Sequence, residues 1–297
     1  MTHVSEDLDA ATPGVPASVG VLGGGRMGAG IAHAFLLAGS AVTIVEQNEE
    51  AAAAAWQRVM SGIDKTLSLG SVAGPRSGYA DRLTVAMDVS AFAAAGLVVE
   101  AVPEDVTLKT SALLAVEAQL APTAWLATNT SSLSISGLAA ALARPERFIG
   151  LHFFNPVPVS TLIEVVTGER TSPELAGLAG AWVTALGKTP IMVRDAPGFA
   201  SSRLGVALAL EAIRMVEEGV ASPADIDAAM VLGYKHPVGP LRTTDIVGLD
   251  VRLGIAEHLQ ATLGDRFAPP QLLRDMVAQG NLGRKSGRGF YDWKDAS

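Results

Sequence analysis

The residues best suited to chemistry are His152 and Glu164, an imidazole and a carboxylate twelve residues apart. They stand in an otherwise apolar stretch that opens His152-Phe153-Phe154-Asn155-Pro156. Histidine changes its charge near neutral pH, and a carboxylate partner fixes its tautomer and raises its basicity. The chain has only five histidines, so two readings compete: a general base with its orienting partner, or a buried histidine satisfied by a local hydrogen bond. Residues elsewhere in the chain favour the first.

Gly23-Gly24-Gly25-Arg26-Met27-Gly28 fits the pattern G-x-G-x-x-G, after an apolar run at Ser18-Val-Gly-Val-Leu22 and before a helical pattern. In that context Gly23 permits the tight turn, Gly25 lets a pyrophosphate approach the backbone, and Gly28 lets helix and strand pack closely. The helix N-terminus offers its unpaired N–H groups to the phosphates. A second strand, Ala41 to Val45, runs into Glu46, 23 residues beyond Gly23. A carboxylate there accepts hydrogen bonds from a ribose diol and repels a 2′-phosphate. Gln47 and Asn48 bring no arginine, so the expected cofactor is NAD rather than NADP. A nicotinamide next to a histidine–carboxylate pair implies hydride transfer from an alcohol, the base taking the hydroxyl proton. Asn129-Thr130-Ser131-Ser132 follows another strand and offers hydroxyls to a substrate oxygen; turn chemistry or a helix cap is the alternative.

These residues need a scaffold that brings strand ends together. Strands are expected at 18–22, 41–45, 97–101, 125–128, 148–152, 162–166 and 189–193. Helices are expected at 25–39, 49–69, 104–120 and 173–186, with a Gly/Ser/Pro-rich loop or hairpin tip at 71–82. The alternation predicts an α/β fold, a Rossmann-like doubly wound parallel sheet with His152 at the carboxyl end of a strand, where ligands bind. Beyond Asp195-Ala-Pro-Gly198 the pattern is helical, over 204–218, 223–232, 250–263 and 270–279. The predicted organisation is a flexible leader (1–17), an NAD-binding domain (18–194) and a helical C-terminal domain (195–297). Pro103 is expected at the first helical position after its strand.

Composition narrows the partners. Hydrophobic residues make up 49% of the chain, yet no apolar run reaches membrane-spanning length. No cysteine is present, which removes disulfides and thiolate chemistry and fits a cytoplasmic protein. A net charge of −8 without a basic run argues against nucleic acid. No metal-ligand cluster is expected.

The motif set resembles the 3-hydroxyacyl-CoA dehydrogenase family, in its short 3-hydroxybutyryl-CoA type. The resemblance covers about Val19 to Trp293. It rests on the glycine loop, Glu-Ala-Val-Pro-Glu-Asp at 100–105, Thr-Asn-Thr-Ser-Ser-Leu at 128–133 and Arg-Phe-Ile-Gly-Leu-His-Phe-Phe-Asn-Pro-Val-Pro-Val at 147–159. Asp-Ala-Pro-Gly-Phe at 195–199, His-Pro-Val-Gly-Pro-Leu at 236–241 and Leu-Gly-Arg-Lys-Ser-Gly-Arg-Gly-Phe-Tyr at 282–291 extend it. The resemblance implies reversible oxidation of an (S)-3-hydroxyacyl-CoA by NAD. It implies His152 as general base, Glu164 as its orienting partner, and Ser131 on the substrate's 3-oxygen near the nicotinamide. It implies Glu104, Lys109, Asn155 and Lys285 as cofactor contacts, and a homodimer built through the helical domain. Phe199, Leu204, Leu208, Leu210 and Met215 are candidates for that surface, or for core.

Two departures bear on the substrate. Ser202 stands before Arg203 where the family has an asparagine near the reacting carbonyl; it is retained here as a catalytic-site residue with one hydroxyl in place of an amide. In the segment 49–82, Gly62 and Leu69 stand where relatives carry a serine and a lysine for the CoA phosphates, leaving Arg58, Lys65, Arg76 and Arg82 as cations. The same hydride chemistry on a carrier-protein-bound or free hydroxy acid is therefore the alternative, and a non-catalytic dinucleotide-binding role a more distant one.

Overall fold

The computed structural model describes residues 14–293. Most of the leader expected at 1–17 therefore lies outside the described residues. The chain divides into two compact units, one ending at Asp195 and one beginning at Ala196.

The first unit is an eight-stranded sheet in the order β3-β2-β1-β4-β5-β6-β7-β8. Its strands are β1 (Ser18–Leu22), β2 (Ala41–Val45), β3 (Leu83–Ala86), β4 (Leu97–Glu100), β5 (Trp125–Thr128), β6 (Phe148–Phe153), β7 (Leu162–Thr167) and β8 (Thr189–Arg194). Its helices are α1 (Arg26–Leu37), α2 (Glu49–Ser68), α3 (Arg76–Ala80), α4 (Val106–Glu117), α5 (Ile135–Ala139) and α6 (Pro173–Ala185). The central strands are continuous apolar runs because both faces are covered: every residue of β4 and of β6 is buried. Val21, Ile31, Phe35, Val99 and Ile149 share one core cluster between sheet and helices.

Strands β1 to β6 pair in parallel. Strand β7 pairs antiparallel with β6, and β8 runs parallel to β7. The sheet is therefore mostly, not wholly, parallel. The cause is the connection 154–161, which contains no helix and is too short for the crossover a parallel pair needs. Pro190 is accommodated because β8 is an edge strand.

Other boundaries differ from the sequence reading for local reasons. The loop expected at 71–82 contains the short helix α3 and leads directly into β3. Helix α4 starts later than expected because Asp105 caps it, accepting from Leu108 N at 2.7 Å. Pro103 is thus not the first helical residue, and Glu104 lies outside the helix.

The second unit is helical: α7 (Ser201–Glu217), α8 (Pro223–Ala228) running into a π-helical turn at Ala229–Gly233, α9 (Pro240–Val247), α10 (Leu249–Leu263) and α11 (Gln271–Ala278). Val206, Leu210, Ile213, Leu241, Leu249 and Leu259 build its core. Of the residues considered for a dimer surface, Phe199 and Leu210 are buried, while Leu204 is 71% exposed.

The glycine loop depends on one close approach. Gly23 has φ +90, in the region that favours glycine. A Cβ on Gly28 would lie 1.8 Å from the Gly23 carbonyl oxygen. Gly28→Ala is expected to displace the loop, with an overpacking cost of roughly 1–3 kcal/mol. Calorimetry should show a lowered unfolding midpoint, and titration with NAD a weakening of about tenfold or more. Wild-type affinity in this variant would show that the loop does not carry the cofactor.

Candidate active site

Antiparallel register places His152 directly opposite Glu164. Because β7 runs against β6, the start of β7 meets the carboxyl end of β6, so a residue near one strand's beginning faces a residue near the other's end. His152 Nδ1 lies 2.7 Å from Glu164 Oε2, with both side chains buried. A buried carboxylate is costly unless paired, and the imidazole provides the pairing. Nδ1–H donates to the carboxylate in the tautomer this contact selects, which leaves Nε2 as the other functional nitrogen. The Phe154 ring packs against the imidazole at 4.4 Å between centroids.

The neighbouring strand end carries the hydroxyl turn. Phe153 N donates to Asn129 Oδ1 at 2.9 Å, which ties the turn after β5 to the end of β6 beside His152. The Glu104 carboxylate organises the rest of the turn. It accepts from Thr130 Oγ1 at 2.6 Å, Ser131 N at 2.9 Å, Ser132 N at 3.2 Å, Ser132 Oγ at 3.1 Å and Ser131 Oγ at 3.3 Å. Burial opposes its ionisation, but the nearby Lys109 ammonium and these hydrogen bonds outweigh that and hold the carboxyl below the ordinary glutamate range.

Lys109 is fully buried. Its ammonium meets Glu100 Oε1 at 2.7 Å, the Val102 carbonyl at 3.0 Å and Glu104 Oε2 at 3.3 Å. Those three oxygens match its three donors. Glu100 also accepts from Thr128 Oγ1 at 2.6 Å and Val102 N at 2.7 Å. One network thus joins the ends of β4 and β5, the start of α4 and the serine turn.

At the glycine loop Glu46 sits at the end of β2, as its spacing from Gly23 predicts. Its carboxylate accepts from Gly24 N at 2.6 Å and Gln47 N at 3.2 Å. Gly25 caps α1, and a Cβ built there meets nothing within 4 Å, so the backbone facing the helix N-terminus is open. Residues and geometry at this end of the sheet fit a dinucleotide: an open N-terminus for phosphate and a carboxylate for the ribose. Arg58, counted from the sequence only as a cation of the segment 49–82, also joins the glycine loop: its Nη1 donates from α2 to the Gly24 carbonyl at 3.2 Å.

Arg26, Arg58, Gly62 and Asn155 line a cavity of about 520 Å³ between α1, α2 and the connection 154–161. A second cavity of about 610 Å³ shares His33, Gly62, Pro156 and Pro158 with it and adds Lys65, Leu69 and Lys188. Of the four cations counted in 49–82, two serve the fold. Arg82 Nη1 donates to the Leu36 and Ser40 carbonyls, each at 2.8 Å, and Arg76 pairs with Asp64 at 2.7 Å. Arg58 and Lys65 remain at the cavities.

Two of the residues singled out by sequence belong to the second unit. Ser202 lies in the first turn of α7. Lys285 lies in the turn Arg284–Ser286 and pairs with Asp250 at 2.6 Å.

Comparison with known proteins places this geometry. Residues 18–196 match the NAD-binding domain of 3-hydroxyacyl-CoA dehydrogenase, and residues 198–293 match that family's C-terminal domain. A probable 3-hydroxybutyryl-CoA dehydrogenase of Deinococcus radiodurans is 41% identical over 275 residues, covering 92% of this chain and 99% of the relative. One of Bacillus subtilis is 42% identical over 281 residues, covering 93% and 96%. The crystal structure of an (S)-3-hydroxybutyryl-CoA dehydrogenase from Ralstonia eutropha is 38% identical with a TM-score of 0.90, covering 94% of this chain and 99% of that one. An eight-stranded sheet with a glycine loop, a buried histidine–glutamate pair and a separate helical unit, matched over nearly its full length, makes this chain a member of the 3-hydroxyacyl-CoA dehydrogenase family.

Proposed function

We propose that this chain oxidises (S)-3-hydroxyacyl-CoA substrates of the 3-hydroxybutyryl type to 3-oxoacyl-CoA, with His152 as the general base. The observation that carries the proposal is the buried 2.7 Å contact between His152 Nδ1 and Glu164 Oε2. The glycine loop and Glu46 would hold NAD, which would supply the acceptor for the hydride of C3. His152 Nε2 takes the proton of the 3-hydroxyl, so the C3–O bond becomes a carbonyl as the C3–H bond breaks. Glu164 holds the ring in the productive tautomer and stabilises the imidazolium that forms. Ser131 donates to the substrate's 3-oxygen, and Glu104 acts through it as a positioning residue by fixing the turn. Glu46 would bind the adenosine ribose, Arg26, Met27 and the loop glycines would flank the pyrophosphate, Asn155 would extend that surface, and Lys109 acts as a positioning residue through Glu100 and Glu104. Arg58, Arg26 and Lys65 supply positive charge for an anionic acyl carrier at the cavities.

The chain assembles as a homodimer through its helical unit, where Leu204, Leu232 and Tyr234 are exposed by 71%, 72% and 75%. Light scattering that gives a monomer mass overturns this. Among the described residues no helix is long and apolar enough to cross a membrane.

His152→Ala should cost about 10² to 10⁴ in kcat with 3-hydroxybutyryl-CoA and NAD. Retained turnover would remove His152 from the mechanism.

Glu104→Gln provides a separate check on the serine turn. The folded-state carboxyl of Glu104 is held below its ordinary value of 4.5. Its stabilising contribution is therefore complete above that value and declines as pH falls through the lowered native one. The variant should show a shallower acid limb in stability against pH, together with a fall in kcat. Identical acid limbs would show that the network does not support the turn.

A further inference from the structure

The two cavities carry four cationic side chains, Arg26 and Arg58 in one and Lys65 and Lys188 in the other. Among the described residues neither wall contains an acidic side chain. In a chain of net charge −8 that exclusion marks a place for an anion. Lys188 is the cation with no part in the reading above, and the fold holds it in place. Its Nζ donates to the Val157 carbonyl at 2.7 Å and to the Ser160 carbonyl, both in the connection 154–161. An ammonium has three donors, and among the described residues the third has no partner.

The surroundings favour a ligand for that third N–H. Leu37, Leu69, Val72 and Leu186 make the wall of this cavity largely apolar, so a charge there is weakly screened. Burial pushes the Lys188 ammonium below the ordinary lysine range, and a bound anion would oppose that shift. His33 stands in the wall that the cavities share. Burial holds its imidazole below the usual 6.5, and the Lys188 charge acts in the same direction, so the ammonium lies within reach of that wall. A free lysine gives up rotamer freedom when it binds an anion. The two carbonyls have already removed much of that cost from Lys188.

We propose that Lys188 binds a phosphate of the acyl carrier with its third N–H. This inference rests on the dehydrogenase reading for the identity of the ligand. Two carriers bear such a group beside a pantetheine thioester: coenzyme A, and a carrier protein with a phosphopantetheine arm. The two carbonyls tie the bound phosphate to the connection that carries Asn155 and joins β6 to β7. Binding energy remote from the reacting carbon thereby becomes available to the step at C3.

The test titrates wild type, Lys188→Met and Lys188→Gln with CoA, phosphopantetheine and pantetheine by calorimetry. Glutamine offers two N–H donors for the two carbonyls and no charge, so it decides the matter if the methionine variant does not fold. Loss of the ammonium should weaken a phosphate-bearing ligand by about tenfold or more and pantetheine by no more than about twofold. Weakening of CoA alone places the phosphate on the nucleotide; weakening of phosphopantetheine as well places it beside the pantetheine arm. In the latter case kcat/KM for 3-hydroxybutyryl-CoA and for the same acyl group on a carrier protein separates the two carriers, by which one wild type uses and the variants lose. Equal weakening of all three ligands, unchanged affinities, or a wild type that binds neither phosphate-bearing ligand overturns the role of Lys188. Phosphate-dependent binding without turnover of either acyl substrate overturns the dehydrogenase reading instead.

Discussion

The reversal of direction between β6 and β7 is the constraint on which the rest of the site depends. In a parallel pair the start of β7 would lie beside the start of β6, and Glu164, third in its strand, would stand beside Gly150. The short connection 154–161 excludes that arrangement and brings the carboxylate to the carboxyl end of β6, beside His152. Ladder hydrogen bonds then hold the backbones of His152 and Glu164 in fixed register, so their 2.7 Å contact needs no loop to maintain it. The remaining groups are attached to that edge: Asn129 fastens the serine turn to Phe153, and Glu104 shapes the turn.

A second device is the burial of charge in closed sets. Lys109 lies between Glu100 and Glu104, with one oxygen from each and a backbone carbonyl. Removing any member leaves a buried charge uncompensated, which costs far more than the intact set contributes. The set therefore specifies geometry more than it adds stability. It fixes the distance from strand end to serine turn with side chains that have no alternative partner.

Much of this was legible in the sequence because its signals are local. The glycine loop is six consecutive residues with a strand before and a helix after, and Glu46 lies at the end of the next strand. The histidine–glutamate pair was legible as residue types, and the helical half as period. Strand direction was less so, since an apolar run reads the same in both senses; the signal was the helix-free connection 154–161. The roles of Glu104, Asn129 and Arg58 rest on contacts between residues 24 to 34 positions apart, which no local pattern encodes. Short elements such as β3 and α5 owe their form to packing rather than propensity.

The use of Arg76 and Arg82 within the fold has a consequence for how an anionic acyl carrier arrives. A chain of net charge −8 that binds two cations of this segment internally offers such a carrier little long-range attraction. Encounter then runs against the protein's overall field, and the field of the cations lining the cavities, Arg26, Arg58 and Lys65, reaches only about a Debye length, near 8 Å at physiological salt. Added salt screens the repulsion, so association quickens with ionic strength, opposite in sign to the behaviour of proteins that steer their ligands electrostatically.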